Sequence, residues 1–132
     1  MELVRTADHL ARQPALALKA EDLSPTQYNV LRILRGAPEG LLCGEISRRM
    51  LTREPDITRI LDRLGKRGLI ARSRPDCDRR RILVRIETNG LALLARLDEP
   101  ICQIHREQLG SLGSGRMQQL MALLGACREK LA

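Results

Sequence analysis

The chain has 132 residues, of which 43% are hydrophobic and 30% charged, the composition of a globular protein with about one domain. It contains one tyrosine and neither phenylalanine nor tryptophan, so its core must be aliphatic, and its net charge of +7 favours a polyanionic partner. No apolar run is long enough for a membrane span or a secretory signal, so we expect a cytoplasmic protein with reduced thiols. The four cysteines lack the spacing of metal ligands, and we expect no metal or cofactor.

Two helices are predicted in the first third of the chain. Residues 2 to 20 have apolar residues at helical spacing, but Pro14 interrupts them, which predicts one short or broken helix. The second helix has strong start signals, because Ser24 can cap it, Pro25 suits its first position and Gln27 can complete a capping box. We expect it to reach about Gly36 and to bury Tyr28, Leu31 and Leu34.

The centre of the chain predicts a short helix, an amphipathic helix and a β-hairpin. Residues 44–50 form the short helix with Ile46 facing inward, and the amphipathic helix should begin at Thr52 as N-cap, with Pro55 in its first turn, and end at Gly68. Its apolar side chains follow at positions i, i+3, i+4 and i+7: Ile57, Ile60, Leu61 and Leu64. Beyond Leu69 the period changes to two, which predicts two paired strands joined by a loop over residues 75–80.

The positive charge is confined to this central region. Between Arg48 and Arg85 the sequence has 13 basic and 5 acidic residues, so these 38 positions have a net charge of +8 and the rest of the chain −1. Twelve of the 13 are arginine, whose planar guanidinium suits phosphates and guanine edges. The segment RPDCDRRRILVRIE, residues 74–87, clusters so many arginines that their repulsion would be relieved by an external anion.

Two further helices are predicted after the hairpin. The first should run from about Asn89 to Leu109, with Thr88 as its cap and a kink at Pro100, and the second should begin at Ser114. The apolar residues of the first helix cover a wide arc of roughly 160°. One domain of this size cannot cover both helices, which predicts a homodimer; the alternative is packing on the N-terminal segment within one chain.

This order of elements is the winged helix-turn-helix arrangement. The predicted fold class is therefore mainly α with a small β-hairpin wing (α+β). We divide the chain into an N-terminal helical segment for dimerisation (residues 1–22), a winged-helix DNA-binding domain (residues 23–88) and C-terminal helices for dimerisation (residues 89–132).

Ordered motifs give the sequence a family resemblance. The segments LSPTQYNVLRIL and GEISRRMLTREPDITRILDRLGKRGLIARSRPDCDRRRILVRIETNGLALL, with the pair Asp78 and Arg80 and the pattern V-x-I-x-T-x-G, resemble the MarR family of bacterial winged-helix transcription regulators over residues 23–131. The resemblance implies a homodimer that binds a pseudopalindromic operator in double-stranded DNA, usually as a repressor. It also implies control by a small anionic or aromatic effector. The chain has no motif that indicates an enzyme.

The expected DNA contacts come from the second helix start, the amphipathic helix and the wing. They are Ser24, Thr26, Thr52, Arg53, Asp56, Thr58, Arg59, Arg63, Arg74, Asp78, Arg79 and Arg80. Arginines of the helix would read guanine, and those of the wing tip would enter a minor groove. The alternatives are that the wing is a solvated turn and that Asp56 pairs with Arg59; for Asp62 and Lys66 we expect such an ion pair.

The resemblance places an effector cleft between the dimer helices and the DNA-binding lobe. In this chain its lining would be Tyr28, Leu31, Arg32 and His105. Alternatively Tyr28 belongs to the core and no ligand exists. Cys77 on the wing could sense oxidants, but we favour this role less than DNA binding by the wing. The rival functions are a nonspecific architectural nucleic-acid binder and a winged helix used for protein contacts.

Overall fold

A computed structural model describes residues 1–74 and 81–131, and this part of the chain folds into six α-helices and a small antiparallel sheet. The helices are α1 (Glu2–Lys19), α2 (Pro25–Arg35), α3 (Cys43–Arg49), α4 (Ile57–Lys66), α5 (Thr88–Leu109) and α6 (Gly113–Glu129), with a 3₁₀ turn at Gly110–Leu112. The strands are β1 (Leu41–Leu42), β2 (Ile70–Ser73) and β3 (Leu83–Ile86). The predicted class, mainly helical with a small sheet, is confirmed.

The core is aliphatic, as the composition predicts. Val30 and Leu34 of α2, Leu64 of α4, Val84 of β3 and Leu94 of α5 are all fully buried. A layer of three helices and the sheet therefore share one hydrophobic centre, and Tyr28 only packs against its edge. This arrangement fixes the position of α4, whose opposite face points to solvent.

The prediction of a short or broken first helix is wrong, because α1 continues through Pro14. Proline has no N–H to donate to the carbonyl of Leu10, one turn earlier in the helix. The side chain of Gln108 in α5 supplies the missing donor, with Nε2 3.1 Å from that carbonyl oxygen. A tertiary hydrogen bond thus replaces the one that the local sequence removes.

The start of α2 is confirmed in detail. The Ser24 hydroxyl accepts from the backbone N–H of Gln27 at 3.1 Å, and the Gln27 side chain accepts from the N–H of Ser24 at 2.9 Å. Pro25 occupies the first turn, where its missing donor costs nothing. The helix ends at Arg35, one residue before the predicted Gly36.

The predicted start of α4 at Thr52 is wrong. Asp56 is the N-cap, and its carboxylate accepts from the backbone N–H of Arg59 at 3.1 Å. Pro55 therefore precedes the helix instead of lying in its first turn. The helix ends as predicted, since Gly68 adopts a left-handed conformation with φ of 70° just beyond it.

The sheet has the order β1-β3-β2, with both neighbouring pairs antiparallel. Ile70 pairs with Ile86 and Ser73 with Leu83, which confirms the predicted pairing of the two runs. The third strand, Leu41–Leu42, pairs with Leu83 and Val84 and was not predicted, because two residues carry no period. The predicted loop over residues 75–80 lies outside the described residues.

The two C-terminal helices are confirmed, but neither predicted cap is correct. Thr88 is the first residue of α5 and Glu87 its N-cap, while α6 begins at Gly113 with Leu112 as N-cap. The glycine of the V-x-I-x-T-x-G pattern has a packing role: a Cβ on Gly90 would lie 2.4 Å from the carbonyl oxygen of Leu69. Only glycine allows this close approach of α5 to the sheet.

Candidate nucleic-acid interface

The solvent face of α4 is a row of cations. Arg59, Arg63 and Lys66 are all exposed, and at 100° per residue they lie within an arc of about 60°. Ile60, Leu61 and Leu64 bury the opposite face. Burial of the apolar side therefore presents the basic side outward as one continuous strip.

The segment between α3 and α4 adds polar groups at the start of this strip. Thr52 and Arg53 are exposed but belong to an irregular segment and not to α4, contrary to prediction. Asp56 uses one carboxylate oxygen to cap α4, so it holds the backbone of Arg59 and not its guanidinium. Its structural role is the cap, and the alternative of a side-chain pair with Arg59 is not observed.

A second set of cations lies on the other side of α4, facing β3. Thr58 lines a recess of about 390 Å³ together with Arg48 of α3 and Arg81 before β3. Neither arginine was among the predicted contacts, although both lie in the basic segment. Their nearness to Thr58 depends on how α3, α4 and the start of β3 pack together, which residue types alone do not reveal.

The hairpin is joined to α4 by an ion pair. Arg72 of β2 forms a salt bridge with Asp62, so the expected pair between Asp62 and Lys66 is wrong. Arg74 is exposed just after β2. The other predicted wing residues, Asp78, Arg79 and Arg80, lie outside the described residues, as does Cys77.

Ser24 and Thr26, the predicted DNA contacts at the start of α2, form hydrogen bonds at the N-terminus of that helix. Both side chains are partly buried, and their hydroxyl oxygens lie 3.1 Å apart. Ser24 also accepts from the backbone of Gln27. These hydroxyls stabilise the helix, and their capacity for other hydrogen bonds is reduced accordingly.

A separate cavity of about 360 Å³ lies between α1, α2 and α5. It is lined by Tyr28, Arg32 and His105, three of the four residues named for the effector cleft, and by apolar residues that include Leu10 and Ile101. The Arg32 guanidinium carbon lies 5.8 Å from the centre of the Tyr28 ring, a cation–π distance. Burial raises the pKa of Tyr28. The predicted Leu31 is fully buried in the core and does not line the cavity.

Two contacts fix the elements around this cavity. Leu51, which precedes α4, lines the cavity, and its backbone N–H donates to the Asn29 side chain at 2.8 Å. Arg35 of α2 donates to both carboxylate oxygens of Asp98 in α5, at 3.1 and 2.8 Å. This hydrogen bond is the main reason that the pKa of Arg35 is raised. Leu51 thus places the segment before α4 in the wall of the cavity.

Other classes of site find no support in the described part of the chain. Among residues 1–74 and 81–131, no three histidine, cysteine, aspartate or glutamate side chains are grouped so that they could hold a metal ion. Within the same residues, none of the helices is long and apolar enough to cross a membrane.

Comparison with known proteins identifies the fold and the family. A sequence model of the MarR family matches residues 21–81. A MarR transcription factor from Planctomyces limnophilus is 38% identical, with 94% of this chain and 90% of that chain covered and a TM-score of 0.74. The homoprotocatechuate degradative operon repressor of Escherichia coli is 29% identical over 119 residues, covering 86% of this chain and 80% of the repressor. A mutant MarR from Escherichia coli, solved in complex with operator DNA, is 25% identical with a TM-score of 0.83, covering 95% and 89% of the two chains. The chain belongs to the MarR family of transcriptional regulators.

Proposed function

We propose that the protein is a homodimeric repressor that binds a pseudopalindromic operator in double-stranded DNA and is released by a small anionic effector. The observation that carries this proposal is the continuous cationic strip of Arg59, Arg63 and Lys66 on the solvent face of α4. The operator complex of the MarR relative and the repressor activity named for the Escherichia coli relative support it.

In this proposal α4 enters the major groove. Arg59 lies in the first turn of α4 and is the best placed of the three cations to read a base, because the N-terminal part of a recognition helix contacts base edges. Arginine reads guanine through two parallel hydrogen bonds. Arg63 and Lys66 lie one and two turns further along and would bind phosphates, which position the helix without specifying sequence.

Dimerisation supplies the second half-site. Two copies related by a twofold axis would place two α4 helices about 34 Å apart on one side of the duplex. The residues 1–22 and 89–132 are the proposed dimerisation segments, and residues 23–88 the DNA-binding domain. Occupation of an operator by such a dimer would block transcription by excluding the polymerase.

The DNA-binding proposal is tested by titrating two labelled duplexes, the DNA upstream of the protein's own gene and a scrambled version. We expect a preference of roughly a thousandfold or more for the upstream DNA. Arg59→Ala should reduce binding to that duplex by about 1–3 kcal/mol and should narrow the preference. Lys130→Ala, just beyond the last turn of α6, is the control; once it is shown to sediment as the unmodified protein does, it should change neither value.

The opposite outcomes identify the rival function. Equal affinity for both duplexes, with a steep dependence on salt, is the behaviour of an architectural binder. A uniform loss for Arg59→Ala on both duplexes would assign that side chain to phosphate and remove it from base reading.

The effector proposal rests on the cavity beside Tyr28. Its walls are mainly apolar, and Arg32 provides a positive charge over the Tyr28 ring, a combination that suits an aromatic carboxylate. Because Leu51 lines the same space, an occupant would displace the segment that leads into α4. We therefore propose that ligand binding changes the spacing of the two recognition helices.

Matched pairs of ligands test this part of the proposal. Substituted benzoates and phenylacetates should weaken binding to the upstream DNA, whereas the corresponding neutral amides should act far more weakly. Arg32→Leu should abolish the difference between acid and amide while leaving DNA affinity without ligand unchanged. An equal response of both proteins to acids and amides would exclude Arg32 as the carboxylate partner.

A further inference from the structure

A groove of about 590 Å³ separates the α1–α2 turn from the C-terminal half of α4. Four cationic side chains line it, Lys19, Arg63, Lys66 and Arg67, together with the single carboxylate of Asp22. Three of the 23 basic residues are lysines, and two of these three lie here. The groove therefore has a net charge of +3, although Lys19 lies far outside the basic segment of the sequence.

The walls of the groove are held in place by the fold. The Arg67 guanidinium donates to the backbone carbonyls of Asp22 at 2.6 Å and Glu21 at 3.1 Å, which fastens the α1–α2 turn to the end of α4. Beneath the turn, Leu18 and Leu23 are buried. The groove is consequently formed before any ligand arrives.

The other three cations of the groove are not held in salt bridges by the described part of the chain. These are Lys19, Arg63 and Lys66, and all three are exposed. Three cations converging on one groove repel one another, and an external anion would relieve that repulsion. The polar atoms of Ser24 and Gln27 at the groove edge are used in the α2 cap, so recognition would depend on the cations.

We propose that this groove is a phosphate-binding site and that its ligand is the backbone of bound DNA. Arg63 belongs both to the strip on α4 and to the groove, so a strand that passes along the strip is led towards Lys66 and Lys19. The footprint on DNA thus extends past the recognition helix to the end of α1. This inference rests on the proposed DNA-binding function.

Three variants at exposed positions test the site on a scrambled duplex, so the test requires no knowledge of the operator. For Lys19→Gln and Lys66→Gln, the slope of log affinity against log salt should become shallower by about 0.9 each, the contribution of one phosphate. At 0.15 M salt this corresponds to a roughly fivefold loss of affinity. Lys130→Gln, just beyond α6, is the control: it should sediment as the unmodified protein does and should have the same salt slope.

Removing the negative charge from the groove provides an independent check, because it should change DNA affinity in the opposite direction. Asp22 has a left-handed backbone with φ of 54°, a conformation that asparagine tolerates well. Asp22→Asn removes the one carboxylate in the groove and should therefore strengthen DNA binding without disturbing the turn.

The same variants distinguish DNA phosphates from a free anion. If the salt slopes are unchanged but pyrophosphate raises the melting temperature of the unmodified protein and not of Lys19→Gln or Lys66→Gln, the site binds free phosphate instead of DNA. An unchanged slope for Lys19→Gln with no effect of pyrophosphate would overturn the proposal, even if the slope for Lys66→Gln is shallower, because Lys66 is already expected to bind phosphate from the strip on α4. A lost preference for the upstream duplex would refute the regulator function alone, because the groove is measured on scrambled DNA.

Discussion

Pro14 removes a hydrogen-bond donor from the interior of α1, and Gln108 restores it from another helix. The exchange couples two positions that are 94 residues apart in the sequence. A proline in a helix interior ordinarily costs about 3 kcal/mol, partly through the lost hydrogen bond and partly through a steric clash. Only the first part can be recovered by a side chain, so Gln108 reduces the cost without removing it.

Urea unfolding at fixed protein concentration tests this coupling. We expect Gln108→Ala to lower the free energy of unfolding by roughly 1 kcal/mol, because the Leu10 carbonyl loses its donor. In a Pro14→Ala background the helix provides that donor itself, and the same change should cost less. The Gln108 Oε1 atom is buried without a hydrogen-bond partner in the described part of the chain. Its removal changes the free energy of unfolding equally in both backgrounds, so it cancels when the two costs of Gln108→Ala are compared. Equal costs in both backgrounds would contradict the assigned role.

At the scale of elements, the sequence predicts those helices whose signals lie close together. The cap, the proline and the capping-box partner of α2 fall within four residues, Ser24 to Gln27, and the helix starts where they place it. Before α4, Thr52 and Asp56 are both capable caps, and Pro55 is compatible with either. Choosing between them requires the packing of Ile57 on the core, which is a tertiary fact.

The candidate site was predictable to the same extent. The period of 3.6 residues identifies Arg59, Arg63 and Lys66 as one face of a helix, and the structure places them so, although the sequence analysis assigned Lys66 to an ion pair and not to the DNA contacts. Contacts between elements were not predictable in this way. Asp62 has a cation four residues away on its own helix, yet it pairs with Arg72 on a strand. Arg48, Arg81 and Lys19 were missed for the same reason, since only the fold brings them near α4.

At the scale of the whole molecule, α6 is the helix with the least packing in a single chain. This helix of 17 residues has no buried residue in a single chain, and its side chains Met121 and Leu123 are 65% and 67% exposed. Helices in water depend mainly on packing of an apolar face. The first turns of α1 are exposed as well, at Leu3 and Val4. We propose that a second copy of the chain covers these surfaces, since a pseudopalindromic operator would be bound by two copies.

Sedimentation of the protein tests this partner directly. The unmodified chain should sediment with twice the monomer mass of 14.8 kDa. Met121 and Leu123 lie two positions apart, about 200° around α6, so Met121→Glu and Leu123→Glu probe opposite sides of the helix. The substitution that falls in the interface should shift the protein towards monomer, because an unpaired carboxylate is costly to bury.

The same variant should weaken binding to the upstream DNA more than binding to a single half-site. Gln118→Glu, an exposed polar position on the same helix, serves as the control for added charge. If both variants and the control sediment as the unmodified dimer does, α6 is not the interface; a monomeric unmodified protein would exclude the dimer itself.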